Sequence, residues 1–434
     1  MKLSYKRTIL IGFAFMSILA FWQVYDQVIP YLLEKDFGLP TFWTNAIMAI
    51  DNVLAIFMLP LFGAISDKTN TRLGKRTPYI LFGTIAVSLF IVLMAISQSL
   101  HKFGAFMLSL LVVLVIMSVY RSPAVAYMPD VTEKPLRSKA NAVINLVGYI
   151  GGIFSTVVMM ILLKSETLPD GSKGYKEGTS FLPVFLILVG FMLASVIVMT
   201  LTVKENKQPH VTDEPDETET AAKGKKIDKK VGLSLFMILL SVFFWFMAYN
   251  AVSTAFSRYC VEIWGADLSA SSSYLLVGTV AAIAAFVPLG FVSSHLGRKK
   301  TIMGGIILMT ACYVAGFFIR EATPIMYVLF GLVGIGWAAI NVNSFPMVVE
   351  MCKGSDIGKY TGIYYTFSMA AQIATPLLSG LLIETIKSAG YLMLFPYAAV
   401  FSGLAFVTMI FVKHGDNKPP KKKSIIENFD VDND

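Results

Sequence analysis

The sequence has little charge for its length. Only 15% of its 434 residues are Asp, Glu, Lys or Arg, whereas 56% are hydrophobic, and the mean hydropathy is +0.67. A water-soluble fold of this composition would have too few polar side chains to cover its surface. The composition therefore excludes an ordinary soluble protein and predicts a chain that lies in a lipid bilayer.

Cysteine and histidine are scarce as well. Cys260, Cys312 and Cys352 lie in or near apolar runs, which suits neither a disulfide framework nor a zinc site. The four histidines form no metal-ligand spacing, and no glycine-rich phosphate loop with its lysine is present. We therefore expect no metal, no cofactor, no ATP-driven step and no enzymatic activity.

Long apolar runs recur along the whole chain. A helix needs roughly 20 apolar residues to cross a hydrocarbon core, and the alternation expected of a transmembrane barrel is missing. The sequence predicts an all-α, polytopic membrane protein with twelve transmembrane helices. The predicted spans are about 8–33, 43–66, 78–98, 103–127, 139–163, 180–203, 233–262, 271–293, 301–319, 324–349, 359–384 and 389–412.

The net charge of +8 predicts topology rather than a nucleic-acid partner, because the basic residues lie in short loops and not on one soluble face. Basic loops stay on the cytoplasmic side of a membrane. If Lys6 and Arg7 are cytoplasmic, the clusters at 68–76, 223–230 and 298–300 fall on the same side. This predicts a multi-pass protein of the cell membrane with both termini in the cytoplasm.

Two polar segments interrupt the apolar pattern. Residues 204–230 combine low hydrophobicity with dense mixed charge and cannot bury enough surface to fold, and residues 413–434 are similar. We interpret the first as a cytoplasmic linker and the second as a cytoplasmic tail, both of them solvated tethers. The linker separates an N-terminal six-helix bundle at 1–203 from a C-terminal six-helix bundle at 231–412, and the tail follows the second bundle. We expect the chain to be a monomer.

A charged hairpin motif occurs once in each half. The first copy runs from Pro60 through Asp67 to Pro78, and a weaker copy runs from Pro288 to Lys300. Each lies between two apolar runs, so the motif predicts a duplicated chain. Duplicated transporters place their substrate cavity near the midplane, between the two halves.

The turns after helices four and ten match with one offset, since setting Asp130 against Glu350 also sets Lys139 against Lys359. At this level the chain resembles the major facilitator superfamily, and within it the sucrose transporter and glycoside:cation symporter branch. The resemblance implies two pseudo-symmetric six-helix bundles and secondary transport. The motifs that carry it are Ser66-Asp67 with Arg72-Leu73-Gly74-Lys75-Arg76-Thr77-Pro78-Tyr79-Ile80, Arg121-Ser122-Pro123-Ala124 through Asp130, and Arg137-Ser138-Lys139-Ala140-Asn141-Ala142.

The resemblance also implies a gate on the cytoplasmic side. Asp67 ends a helix, where a carboxylate opposes the helix dipole and needs a cation or a neighbouring helix N-terminus. The alternative is that these charges only anchor loops at the membrane surface. The predicted gating residues are Asp67, Arg72, Arg76, Asp130, Arg298 and Glu350.

Ionisable side chains within the spans are the sharper indication, because each costs roughly 2.5–3.5 kcal/mol at the bilayer centre and is usually kept for function. Asp26 and Asp51 lie at similar depth on helices one and two, and Arg121 lies on helix four. We predict that the two carboxylates bind the coupling proton, with Arg121 as counter-charge or substrate donor; a static ion pair is the alternative. Melibiose-type relatives carry an acid directly before the helix-two proline, and Leu59 here argues for protons over sodium.

Sugars are recognised by aromatic faces and by polar side chains that bind their hydroxyls. The sequence thus predicts a proton-coupled symporter of a sugar, either a disaccharide or a glycoside. Two alternatives stay open: transport of a lipid or a drug by the same fold, and a non-transporting sugar sensor or receptor. The predicted substrate-binding residues are Trp22, Gln23, Tyr25, Asn145, Asn250, Asn341 and Gln372.

Overall fold

The structure, a computed structural model, describes residues 3–163, 165–167, 173–175, 180–205, 228–265, 268–352, 356–386 and 390–416. Nearly all of these residues are helical, which confirms the predicted all-α class. Most of the predicted linker, at 206–227, and most of the predicted tail, at 417–434, lie outside the described residues.

The N-terminal bundle contains seven described helices and a short antiparallel hairpin of two strands. A π-helical turn, Leu32–Asp36, extends the first helix, and a 3-10 turn, Lys134–Leu136, precedes the sixth. The helices are α1 (Tyr5–Tyr31), α2 (Thr41–Met48), α3 (Ile50–Lys68), α4 (Thr77–Ser99), α5 (Phe103–Asp130), α6 (Arg137–Leu162) and α7 (Leu182–Thr202), and the strands are β1 (Ser165–Thr167) and β2 (Lys173–Tyr175).

The C-terminal bundle contains six described helices, from α8 onward. Eleven described helical segments of the whole chain are long and apolar enough to cross a membrane, and α12 is a further 29-residue helix packed among them. The helices are α8 (Lys229–Trp264), α9 (Leu268–Leu296), α10 (Arg298–Phe318), α11 (Ile325–Glu350), α12 (Ile357–Thr385) and α13 (Leu394–Ile410), with a 3-10 turn at Gly390–Met393.

The second predicted span differs from the structure in its continuity. The sequence predicts one helix over 43–66, whereas the structure interrupts it at Ala49 and divides it into α2 and α3. The apolar segment Ala46–Lys68 nevertheless remains long enough to cross the membrane.

Local sequence explains where the helices after the two charged hairpins begin. Pro78 stands in the first turn of α4, where its missing N–H costs no helical hydrogen bond. Gly297 precedes α10 with a φ of 94°, a backbone conformation that side chains with a Cβ rarely adopt. Each hairpin therefore ends in a residue suited to starting a new helix.

The two bundles meet along α3 with α12 and along α6 with α9. The first contact is very close: a Cβ atom added to Gly362 of α12 would lie 2.3 Å from the backbone of Pro60 in α3. Arg7, Glu205 and Asp416 all contact the loops beside these crossings. We call this side of the molecule, which carries Arg7 and Asp416, the terminal face.

Candidate functional site

Arg76 is fully buried at the terminal face and is the centre of an ionic network. Its Nε lies 2.7 Å from Asp130 Oδ2, its Nη2 lies 2.5 Å from Asp67 Oδ1, and its Nη1 donates to Ser66 Oγ. Lys75 Nζ lies 3.4 Å from the other Asp130 oxygen. Burial by itself would lower the pKa of the Arg76 guanidinium, but Asp130 and Asp67 outweigh this effect and hold the pKa above its ordinary value.

Asp67 joins this network to the other bundle. Its two carboxylate oxygens accept hydrogen bonds of 2.8 Å each from the backbone N–H groups of Gly358 and Lys359. These groups belong to the first turn of α12, where unpaired N–H groups and the helix dipole favour an anion. Ser122 adds a 3.3 Å hydrogen bond to the Gly358 carbonyl. A carboxylate of one bundle thus holds the helix N-terminus of the other.

The second crossing uses the opposite chemistry. Arg298, also buried, forms an ion pair with Glu350 of its own bundle. The same guanidinium donates to the Lys134 carbonyl, and its Nε donates to Ser138 Oγ over 2.6 Å. Here a cation of the C-terminal bundle binds acceptors of the N-terminal bundle. The structure therefore brings together five of the six predicted gating residues in two clusters, while Arg72 is exposed on the hairpin.

An amide missed by the sequence analysis extends the contact inward. Asn141 Nδ2 on α6 donates to the carbonyls of Asn341 and Val342 on α11, over 3.0 Å each. Asn145, which the sequence analysis chose, instead donates over 2.8 Å to the Asn141 carbonyl of its own helix. Asn141 lies within the branch motif, so its position in that motif was the signal that could have identified it.

Two acidic residues accept hydrogen bonds from the backbone N–H groups of Arg76 and Arg298, the arginines predicted to form the gate. The Glu205 carboxylate accepts from the N–H groups of Lys75, Arg76 and Thr77 at 2.8–3.1 Å, and from Thr77 Oγ1 at 2.8 Å. Asp416 Oδ1 accepts from Arg298 N over 2.5 Å. Both acids stand at the ends of segments that the sequence predicts to be tethers. The sequence did contain a signal for these two contacts. The N-cap residues of α4 and α10 are Arg76 and Gly297, whose side chains cannot accept the first N–H groups of the helix, so an acceptor from elsewhere in the chain is needed.

The residues predicted to bind the coupling proton lie within electrostatic range of one another, away from the terminal face. Asp26 on α1 interacts electrostatically with Asp51 on α3 and with Arg121 on α5, and Asp51 also interacts with Arg121. Within the described ranges, no ion pair of 4 Å or less joins Arg121 to either carboxylate. The Asp26 side chain is exposed, although it lies within a membrane span.

Aromatic rings hold Arg121 in place. Its guanidinium carbon lies 5.5 Å from the ring centroid of Trp22 and 4.9 Å from that of Tyr365 on α12, distances that allow cation–π attraction. Among the residues that the structure describes, none forms a hydrogen bond with the buried Nε of Arg121 or with the buried hydroxyl of Tyr25. Tyr25 packs edge-on against Trp22 with ring centroids 5.2 Å apart. The site thus presents a positive group and two polar atoms that a bound solute could satisfy.

The other predicted substrate residues do not join this cluster. Gln23 faces α6, where its Oε1 lies 3.7 Å from the Cβ position of Gly152. The buried Nδ2 of Asn250 on α8 finds no hydrogen-bond acceptor within the described part of the chain. Asn341 and Gln372 are half-buried on α11 and α12. These residues belong to several helices, and their convergence on one solute remains a prediction.

Comparison with known proteins gives a family match over most of the chain. The model of a family described as "MFS/sugar transport protein" matches residues 10–391. The sucrose transport protein SUC4 of Arabidopsis thaliana is 23% identical over 322 residues, covering 66% of this chain and 62% of that protein. The inner membrane symporter YicJ of Escherichia coli is 24% identical over 196 residues, covering 44% of this chain and 42% of that protein. The matched regions thus span less than two thirds of either relative.

A longer match is to the uncharacterized symporter YnaJ of Bacillus subtilis, which is 22% identical over 375 residues, covering 80% of this chain and 77% of that protein. Among solved structures, the fold is similar to that of the transporter FucP in its outward conformation, with a TM-score of 0.74 at 13% identity, over 95% of this chain and all of that one. A bacterial homologue of the iron transporter ferroportin, in an outward-facing state, gives a TM-score of 0.71 at 12% identity, over 94% of this chain and 99% of that one. At these identities the two structures establish the fold alone.

Proposed function

The chain belongs to the MFS/sugar transport protein family, and on that premise we propose that this transporter is a proton-coupled sugar symporter that works by alternating access. The sugar is a disaccharide or a glycoside. Relatives named as a sucrose transport protein and as symporters support this choice of solute class and of mechanism. The terminal face is the cytoplasmic side in this proposal.

The closure of the terminal face is the observation that carries the proposal. Asp67 bound to α12 and Arg298 bound to the Lys134 carbonyl tie the two bundles together on one side of the membrane. A solute between the bundles would then be cut off from the terminal face and open to the opposite side. Each of these contacts is a hydrogen bond to a charged group, which contributes roughly 1.5–3 kcal/mol, so together they can hold one state of a transport cycle.

The charges between the bundles supply the coupling. With both carboxylates ionised, Asp26, Asp51 and Arg121 have a net charge of −1, from two negative charges and one positive. One bound proton makes the set neutral, which removes the unbalanced charge before the carrier changes conformation. Arg121 Nε and the Tyr25 hydroxyl, which have no hydrogen-bond partner among the described residues, then bind hydroxyl groups of the sugar. A carrier with sugar but no proton keeps the unbalanced charge, and a carrier with a proton but no sugar leaves Arg121 Nε and the Tyr25 hydroxyl unsatisfied. Both half-loaded states are therefore less stable, and proton and sugar are carried together.

Transport by the purified protein in proteoliposomes tests the proposal. Vesicles are preloaded with unlabelled sucrose, maltose or simple glycosides, and counterflow of the labelled sugar is measured, followed by uptake under an imposed pH gradient and then under a sodium gradient. We expect counterflow of at least one sugar and concentrative uptake with the pH gradient alone. Accumulation with sodium alone would contradict proton coupling, and no movement of any sugar would contradict the solute class.

A further inference from the structure

One amide lies directly beside a coupling carboxylate. Asn52 follows Asp51 in the first turn of α3, and its Nδ2 donates a 2.9 Å hydrogen bond to Asp51 Oδ1. Neighbouring residues of a helix normally point to different sides, so adjacency in the sequence alone does not predict a contact between these two side chains. In the structure, the two side chains bend together and form one hydrogen-bonded unit.

The other end of this amide has no partner. Asn52 Oδ1 is buried, and within the described part of the chain no group donates to it. A buried amide oxygen without a donor is costly unless a ligand satisfies it. The amide therefore has one end bound to Asp51 and one buried end whose capacity to accept a hydrogen bond is unused among the described residues.

An amide can report the protonation state of a carboxyl group because its two ends have opposite hydrogen-bonding character. An ionised Asp51 can only accept, so Asn52 turns its NH₂ toward it and presents oxygen elsewhere, as in the structure. A protonated Asp51 can donate its O–H, and an amide rotated by half a turn accepts that bond through Oδ1. The rotated amide then presents NH₂, a donor, where it previously presented an acceptor.

We propose that Asn52 is the positioning residue that transmits protonation of Asp51 to the sugar by this rotation of its amide. The inference rests on the proposed function, in which Asp51 is a proton site. A sugar hydroxyl or ring oxygen that needs a donor binds tightly only when Asp51 holds the proton. The proton comes from one aqueous side and leaves to the other, and no covalent bond other than its own changes.

The surroundings of Asp51 are compatible with this switch. Asp26 and Tyr25 reach it from α1 and Arg121 reaches it from α5, all through electrostatic interaction. Among the described side chains, Asn52 is the group that donates a hydrogen bond to Asp51. A change at Asn52 should therefore alter the link between proton and sugar while the charges around Asp51 stay in place.

The chain offers a matched control pair on two other elements, α4 and the π-helical turn after α1. Gln98 Nε2 of α4 donates a 2.9 Å hydrogen bond to Asp36 Oδ2, and its buried Oε1 likewise has no partner among the residues described. Gln98→Leu removes the same kind of amide from the same kind of carboxylate. An effect specific to coupling should appear in Asn52→Leu and be absent from Gln98→Leu.

The first experiment measures the apparent affinity of the reconstituted full chain for the sugar that counterflow identifies, at a series of pH values. In the wild type and in Gln98→Leu, we expect affinity to rise as pH falls through the titration of Asp51, by roughly tenfold, a usual size for coupling between two sites. In Asn52→Leu, affinity should be lower and independent of pH. An unchanged pH dependence in Asn52→Leu, or its loss in Gln98→Leu as well, would overturn the proposal. Asn52→Ala replaces Asn52→Leu if the latter does not fold.

The second experiment needs no transport and separates this inference from the proposed function. Infrared difference spectra of the purified protein follow the C=O stretch of the protonated Asp51 carboxyl, which is assigned by its loss in Asp51→Asn. Removing the amide partner in Asn52→Leu should shift the frequency of that band, because its hydrogen bond is lost. If no sugar is carried but the band shifts, the amide switch stands and the solute class fails. A band at the wild-type frequency would refute the switch whatever the protein transports.

Discussion

At the scale of single residues, charged side chains are rare within the membrane spans, so the few that occur there indicate function. Asp26, Asp51 and Arg121 come from three helices, and each lies within electrostatic range of the others. Among the described residues, Arg121 forms no ion pair of 4 Å or less with either carboxylate. Each of the three groups therefore remains able to bind a proton or a solute. A set of charges that is close but unpaired is better suited to binding a proton and a solute than a closed pair is.

We predict that Asp26→Asn or Asp51→Asn abolishes uphill accumulation while solute exchange survives, because the linkage between proton and sugar is lost. The ratio of internal to external sugar should fall to about 1, the value without coupling. Uptake under an imposed pH gradient measures this effect, and Asp36→Asn on the π-helical turn after α1 is the control. Proton-dependent accumulation in both single variants would eliminate these residues as proton sites.

We predict that Asp67→Asn weakens the seal of the terminal face and slows cycling without unfolding the protein. The amide loses the charge that Arg76 and the first turn of α12 share, and a shift of about 1.4 kcal/mol would open the gate roughly tenfold more often. Cys352 is a native reporter of this opening: its Sγ donates to the Val349 carbonyl over 2.9 Å, and burial raises the pKa of its thiol. Maleimide labelling of Cys352 should therefore accelerate.

The variant Cys352→Ser measures the background labelling that comes from the other two cysteines. These are Cys260 and Cys312, which are buried in membrane spans. If both labelling and sugar uptake stay at wild-type rates in Asp67→Asn, the carboxylate only anchors the hairpin.

At the scale of helices, the close crossing of α3 and α12 depends on a glycine, Gly362. A Cβ on Gly362 would lie 2.3 Å from the Cα of Pro60, whereas a Cβ on Gly380 of the same helix would meet nothing within 4 Å. The two glycines thus differ in whether the closed arrangement of the bundles requires them.

We predict that Gly362→Ala prevents full closure of the terminal face, because overpacking of this kind costs roughly 1–3 kcal/mol and falls only on the closed state. Labelling of Cys352 should increase and transport should slow. Gly380→Ala is the matched control and should behave as the wild type. Equal labelling rates in the two variants would mean that the crossing relaxes at no cost to closure.

The start of α4 depends on an acid 128 positions away in the chain. We predict that Glu205→Gln lowers the stability of the protein by about 2 kcal/mol, because backbone N–H groups lose a charged acceptor in a buried place. Thermal unfolding of the purified protein measures the loss. Asp228→Asn removes an exposed acid that accepts from Lys230 N at the start of α8, and it should cost much less. Similar losses in both variants would show that burial adds nothing to this cap.

At the scale of the whole molecule, the two halves repeat one plan with different chemistry. The first crossing is held by a carboxylate on N–H groups, and the second by a guanidinium on a carbonyl. Both crossings lie at the same face, which also holds the caps Glu205 and Asp416. This common location follows from duplication, since each half brings its charged hairpin to the same side of the membrane.

We predict that the terminal face and the segment at 206–227 are cytoplasmic, as the distribution of basic residues requires. A reporter that is active only in the cytoplasm, fused after residue 215, should be active, and one fused at position 170, between α6 and α7, should be inactive. The reverse pattern would overturn the topology and the sidedness of the proposed cycle.

The sequence by itself determined the helical class, the duplication and the identity of the charged residues, because apolar length and rare charges are properties of local composition. Tertiary structure decided which of those charges meet. Asp67 accepts a hydrogen bond from Gly358, 291 positions away. Asn141, and not Asn145, donates to the other bundle. Glu205, which the sequence places in a solvated linker, caps α4. Partners so distant in the chain come together only when packed helices fix their relative rotation and depth, and no local pattern of residues encodes either quantity.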